Sequence, residues 1–497
     1  MKRALLLLAA CRSHATPEAP HGPEVQVLVT APGLTAEQLE QRAVIPIERQ
    51  RSPEITRHVR SFAVDGHAVI TFELADRVET FAGRDAVTTW IEAADVRDPI
   101  TAALSPITQR DGAVARYTLR SDQTSIADLR LWQQWTAERE LLRVPGVAAA
   151  ATCGGRDRRI EVDVDSTRAL ALANAHTGAD VADAISRALT DGHIVFGGAQ
   201  ITADDLGMVV LAARPDGVVR VRDIAQVRLG DSLPDCLAVD EHGQVVAGVV
   251  FARTGSKPID VRHAIEPTLT SLGSTAPAGT QLGLLPVERP ITLAVASTAR
   301  GADLRELVAL RDLIKPVAGV DRMIVQRGID YGFVAGFGDE IAIRIVPAKD
   351  VDRSDLDTAV RAAIAARGHI AFGDDARVVE LLGGSLDDLA ATTAALSTHS
   401  AIHIVGSIGA ESSALPSPPQ DHEIEGGRLG ETAIPIIVLG EEMPTSTRRP
   451  PERGLVVRDD GTRWVGVRVI ADDDELANAV AKLQLPAGVE VRVVRGR

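Results

Sequence analysis

The chain has 497 residues, of which 45% are hydrophobic and 24% charged. This composition folds rather than remaining an extended polyelectrolyte, and the length corresponds to about three or four ordinary domains. The formal net charge of -15 repels phosphate backbones and excludes nucleic acid as a partner, and apolar runs such as residues 434–439 are far shorter than the ~20 residues that cross a bilayer.

The N-terminus carries two basic residues, Lys2 and Arg3, an apolar run from Ala4 to Ala10, and small residues before Cys11. This order resembles a bacterial lipoprotein signal. The resemblance implies a leader over 1–10, a lipidated Cys11, and an extended tether over 11–23 through Pro17, Pro20 and Pro23. A chance Leu/Ala-rich start of a cytosolic chain is the alternative. With Cys11 assigned, Cys153 and Cys236 are the only possible disulfide pair. An exported chain permits oxidation, but two buried free thiols are the preferred reading.

From residue 24 onward the chain repeats itself. A strand at Val25 to Val29, a helix over Thr35 to Glu48 with Leu39, Ala43 and Ile47 on one face, paired strands within Ser61 to Leu74, and a helix over Arg84 to Ala94 form a βαββα order. The order returns as Leu293 to Ala296, Asp303 to Lys315, Asp330 to Val346 and Leu356 to Ala366. Thr35 and Asp303 have the side chains of N-caps. A second pair interleaves with the first. Tyr117 to Arg120, Asp128-Leu129, and Val144-Pro145-Gly146-Val147 parallel Val378 to Leu382, Asp388-Leu389 and Ile402 to Val405. His242-Gly243 with Gly248-Val249 parallels Asp460-Gly461 with Gly466-Val467. The later copy lacks counterparts of the strand Ile160 to Asp165 and the helix Gly178 to Leu189.

Few residues suggest chemistry. Thr254-Gly255-Ser256-Lys257 lacks the G-x-x-x-x-G-K-[ST] frame, and with Pro258 next it reads as the lead-in to a helix. No G-x-S-x-G is present, so no enzymatic activity and no cofactor are expected. His399 and His403 straddle a helix end and a strand, which denies them the shared helical face of a metal pair. Asp163 and Asp165 alternate along a strand and read as a solvated face. Met1, Met208, Met323 and Met443 are scattered, against the clustered thioethers that select Cu(I); no metal site is expected.

The units in the order A, B, A′, B′ are similar to the periplasmic porter region of resistance-nodulation-division (RND) efflux transporters. The residues that carry the resemblance are Ala31-Pro32-Gly33-Leu34, Glu40 and Pro46-Ile47-Glu48; Asp128-Leu129-Arg130, Trp135 and Val144 to Val147; Val219 to Val227; and Gly332-Phe333 through Gly336-Phe337-Gly338. It implies an α+β fold of four ferredoxin-like split βαβ porter units in two tandem halves: A over 24–113, B over 114–283 with a docking insertion at about 198–233, A′ over 284–375, and B′ over 376–497 with a docking-like segment at about 410–455. Val219 to Val227 would be a strand of the docking hairpin. The family's transmembrane helices have no counterpart here, because residues 282–289 join B to A′ directly. The resemblance therefore implies a non-catalytic, membrane-anchored porter protein at the periplasmic side of the cell envelope that cannot pump alone. It would bind a small hydrophobic ligand, or an efflux adaptor or membrane subunit. The alternatives are the periplasmic subunit of a split transporter and a degenerate copy. The short connector over Ala199 to Val218 argues against the family's stable trimer. Trp135, Phe333 and Phe337 are the candidate ligand residues in the cleft between units, with a helix core stripe as the other reading of Trp132 and Trp135 and a plain turn as the other reading of the glycine-rich loop. Metabolic labelling with palmitate should mark the wild-type chain, and Cys11→Ser should abolish the label; an unlabelled wild type that fractionates like the variant would rule the lipoprotein reading out.

Overall fold

The computed structural model describes residues 24–494 except 32–33, 97–99, 105–112, 191–200, 216, 233, 235, 254, 287–289, 297–303, 328–339, 374–376, 400–401, 406–420, 440–454, 472–478 and 481–484. The chain is a mixed α/β protein of several sheets. The helix starts follow their caps. Thr35 accepts from the Gln38 N–H while Gln38 reaches back to the Thr35 N–H, closing a capping box. Ser385 closes a capping box with Asp388 at Leu386–Leu396, and Ser125 caps Ile126–Trp132 by accepting from the Asp128 N–H. The helix expected over Thr35 to Glu48 runs from Ala36 to Glu48 through a π turn at Glu40–Val44. Pro46 follows that turn and donates no N–H to it.

The largest sheet has 9 strands and is built from both ends of the chain. Glu24–Thr30, Thr56–Val64, His67–Leu74 and Thr101–Leu104 come from the first segment; Arg377–Gly383, His403–Val405, Leu455–Asp459, Thr462–Ala471 and Val489–Val494 from the last. The junction is one antiparallel pairing, Arg60 opposite Asp459 through Ala63 opposite Val456. Asp460-Gly461 turns the last hairpin with both residues at positive φ, 45° and 85°. Those angles define the two-residue turn whose twist suits a hairpin, and glycine adopts them freely. Asp460 also accepts from the Val59 N–H.

A parallel situation joins the middle segments. Leu237–Asp240 leaves the segment read as B and pairs with Val320–Arg327 in a 5-stranded sheet completed by Glu340–Pro347, Ile291–Ala296 and Ala371–Phe372. The chain then turns back through Val246–Ala252 into a 4-stranded sheet with Ala113–Arg120, Gln281–Leu285 and Val147–Cys153. Within it Gly248 faces Tyr117: a Cβ there would lie 2.3 Å from the ring, so only glycine lets the phenol cross the strand. A further 4-stranded sheet places Thr432–Leu439 parallel to Arg158–Val164.

Three expectations change. Cys153 and Cys236 are not free thiols but a disulfide with Cα atoms 5.1 Å apart. Their proximity follows from the 237–240 strand leaving its own segment, a non-local event. Both sulfurs enter one buried cluster with Ala238, Val245, Ala247, Leu285 and Ile324. Residues 219–227 are not one strand: Gly217–Arg220 and Ala225–Asp231 are separated by a helical turn at Val221–Ile224. That turn buries Val221 and Ile224, and the Asp223 carboxylate accepts from the Arg220 N–H at 2.7 Å. Thirdly, the strand paired with Glu340–Pro347 is Val320–Arg327, ahead of the expected 330–346 span.

Buried ion pairs lock the end-to-end junction. Glu40 and Glu48, 1% and 8% exposed, sit on the first helix. Arg458 reaches Glu48 at 2.8 Å and Glu40 at 3.1 Å, and Arg463 reaches the other Glu40 oxygen at 2.8 Å. On the other face of the sheet Glu380, fully buried, is held by Arg468 at 2.6 Å and by Arg60. Removing one partner of such a buried set strands the other charge and costs about 3 to 5 kcal/mol. Urea unfolding of Arg458→Met should show a loss of that size, whereas the exposed control Arg143→Met should change stability by less than ~1 kcal/mol.

Candidate functional site

The cleft that the family resemblance implies, between the segments read as B and A′, corresponds to the space between the sheet of Ala113–Arg120 and the sheet of Val320–Arg327. Leu285, the last residue of its strand, lines two cavities there. One, of about 20 Å³, lies between Tyr117, Ala151, Cys153, Val249, Ile324 and Gln326. It has room for about one water. The other, of about 220 Å³, is lined by Arg120, Asp240, Glu241, His242, Gln281 and Arg322 among others.

The polar side chains around the larger cavity are engaged. The Arg120 guanidinium donates to Gln281 Oε1 at 2.7 and 3.0 Å. Asp240 accepts from the His242 and Gly243 N–H groups at 2.8 and 2.9 Å, which fixes the turn, while burial pushes its carboxyl above the usual range. Glu241 accepts from the Met323 N–H at 3.2 Å, tying that turn to the facing sheet.

Behind the 4-stranded sheet lies a helix that runs Ile126–Trp132, through a π turn Gln133–Ala137, to Glu138–Leu142. The π turn shifts the helical face, and Gln133 enters the core, where its amide donates to the Tyr117 hydroxyl at 2.7 Å. Arg130, 3% exposed, clamps Asp157 at 2.6 Å and the Gly154 carbonyl at 3.0 Å. Beside them Glu138 accepts from the Thr152 hydroxyl. Burial raises its pKa to about 7, against the opposing pull of Thr152 and Arg130. Arg130 was visible in the sequence as part of a motif; Glu138 gave no signal, because its burial depends on the π turn and the strand beneath it.

Of the sequence candidates, Trp135 is half-buried, lines neither cavity, and carries the Arg139 guanidinium 4.1 Å above its ring. Trp132, not Trp135, packs on the helix core. Phe333, Phe337 and Cys11 lie outside the described residues. Asp165 caps a helical turn by accepting from the Arg168 N–H, and Lys257 precedes the helix Pro258–Thr275. His403 sits on a buried strand with its pKa lowered to about 4 by burial. Met323 is buried in the strand Val320–Arg327, and Met208 is exposed just past the short helix Ala203–Gly207. Among the described residues no group of three or more His, Cys, Asp and Glu side chains is placed to hold a metal ion, and no helix is long and apolar enough to cross a membrane.

The model of the AcrB/AcrD/AcrF family matches residues 15–289. The cation efflux system protein CusA of Escherichia coli K12 is 27% identical over 278 residues, 52% of this chain and 27% of the relative. The cobalt-zinc-cadmium resistance protein CzcA of Cupriavidus metallidurans is 26% identical over 284 residues, 52% of this chain and 26% of the relative. The match thus spans about a quarter of the length of these curated relatives. A crystal structure of a heavy metal efflux pump superposes with a TM-score of 0.71 over 95% of this chain and 79% of that one, at 13% identity, which speaks for the fold alone.

Glu138 gives the site a pH signature. A carboxyl whose pKa is about 7 in the fold, against 4.5 unperturbed, holds its proton in the fold at pH values where the unfolded chain has lost it. Its contribution is complete below about pH 4.5 and is lost as pH rises through 7. Unfolding free energy should therefore fall between pH 5 and 8 by on the order of 1 to 3 kcal/mol from this residue, and Glu138→Gln should flatten that part of the profile.

Proposed function

The chain belongs to the AcrB/AcrD/AcrF family, and from that premise we propose that it is the porter part of an RND-type efflux system, binding small apolar molecules in the cleft between its 4-stranded and 5-stranded sheets. The observation that carries this reading is the meeting of those two sheets across the 281–285 strand, with Leu285, Val249, Ala151 and Ile324 on the facing walls. The four-unit, two-half organisation belongs to the same reading. In it, the pairing of 455–459 with 56–64 and the pairing of 237–240 with 320–327 are two copies of one exchange, in which a B-type unit lends a strand to an A-type sheet. The protein would act by binding, without chemistry of its own, and Cys11 would hold it to a membrane of the cell envelope.

A second reading rests on the short passage from Gln281–Leu285 to Ile291–Ala296, which leaves no room for membrane helices between those strands: a subunit whose membrane helices are carried by another polypeptide, with an efflux adaptor as a further partner. Metal cations, named for CusA and CzcA, would need ligands beyond those that the described residues bring together.

Fluorescence titration with a hydrophobic dye tests the cleft. Dye binding should shift tryptophan emission, and Phe333→Ala should weaken it by about 1 to 3 kcal/mol, the worth of one buried side chain, with an unchanged unfolding midpoint. Trp135→Ala separates its two roles, since a cleft residue lowers dye affinity and a surface residue stacked on Arg139 does not. If no dye binds the wild type, the assembly reading takes precedence.

A further inference from the structure

We propose that the Cys153–Cys236 disulfide is a redox lock on the cleft, which keeps the two sheets closed on each other until a dithiol reduces it. The proposal rests on the reading of that cleft as the place where ligand enters.

The lock follows from where the two sulfurs sit. Cys153 is the last residue of Val147–Cys153, in the 4-stranded sheet. Cys236 immediately precedes Leu237–Asp240, the edge strand of the 5-stranded sheet. The bond therefore runs from one sheet to the other. At the far end of Leu237–Asp240 the sheets are also joined by the chain itself, through the turn in which the Asp240 N–H donates to the Gly243 carbonyl at 2.8 Å and the Val245 N–H to the Ala238 carbonyl at 3.1 Å.

A short strand fixed at both ends cannot swing away from either sheet. With the bond open, the sheets stay joined along one side, by the turn, by the passage from Leu285 to Ile291 and by Arg322 donating to the Leu284 carbonyl, and the strand becomes the free side of a hinge. The edge strand is held to its sheet by pairing from Leu237 opposite Arg327 to Asp240 opposite Ile324 and no further. Cys153 also forms part of the wall of the cavity of about 20 Å³, together with Ala151, Val249 and Ile324. That space is too small for any organic ligand, so the apolar part of the cleft beside the bond holds none while the bond is closed. Opening must separate the walls that the bond draws together.

The step balances as ordinary thiol–disulfide exchange. One thiolate of the dithiol attacks a sulfur of the pair and forms a mixed disulfide, and the displaced cysteine thiolate takes up a proton. The second thiol of the reagent then closes on the first and releases the other cysteine. The dithiol is oxidised to its disulfide, and the protein gains two electrons and two protons.

The test uses the full chain, oxidised and then reduced with dithiothreitol, with hydrogen exchange and dye titration on both forms. Reduction should speed exchange at least tenfold in 147–153, 237–252, 281–285 and 320–327, leave 24–30 and 56–74 of the large sheet unchanged, and tighten dye binding at least tenfold; reoxidation should reverse all three. Cys153→Ala/Cys236→Ala should behave as the reduced protein with or without dithiothreitol. If the double variant does not fold, Cys236→Ala alone breaks the bond and serves in its place. Unchanged exchange in the reduced protein overturns the lock, as does a loss of protection that spreads equally through the large sheet, which marks a bond that only stabilises. Faster exchange confined to the cleft without dye binding upholds the lock and removes the ligand reading instead.

Discussion

The fold depends on one pairing, that of Leu455–Asp459 with Thr56–Val64. It brings the two ends of the described chain into one sheet and puts Val456 into the core of the first segment. The sheet alone would be a weak junction, because four residue pairs bring few ladder hydrogen bonds. The ion pairs behind it decide the geometry. Glu40 and Glu48 cannot be buried without cations, and the cations come from Arg458 and Arg463, on the two strands of the hairpin that pairs with this sheet. Buried charges tolerate few arrangements, so the pairing has one register. A central cluster then forms from Val64, Ala294, Phe372, Val378, Leu455 and Ile470, where three segments of the chain meet.

The middle junction solves the same problem by other means. Its strand, Leu237–Asp240, is also short, but it is secured by a disulfide rather than by an arginine cluster. Closing a loop with a sequence separation of 83 residues removes chain entropy worth about 4 to 5 kcal/mol in the loop-closure model. The two kinds of fastening differ in what can undo them. Ion pairs in a dry core respond to loss of a partner, whereas a disulfide responds to the redox state of its compartment. One junction is therefore a fixed support and the other can be a moving part.

Much of the local structure was legible. The cap at Thr35 and the helix and strand periodicities are written in adjacent residues, and each forms as its local chemistry dictates. Glu40 and Glu48 were recognisable as motif residues, although their purpose was not. The site was less legible. Glu138 owes its burial and its pKa to a π turn that no periodicity announces, and Trp135 is turned toward Arg139 and away from the cavities by that turn.

The sequence by itself determined most of the elements, the lack of membrane-crossing apolar runs, and the kinship to RND efflux permeases, since all of these rest on short-range patterns and their order. Tertiary structure decided what each element is attached to. Val221–Ile224 became a helical turn because its apolar residues found a core on one side, and Cys153 met Cys236 because a strand crossed to another sheet. Both outcomes depend on contacts between residues far apart in the chain, and the free energy of such contacts is set by partners that no local window contains.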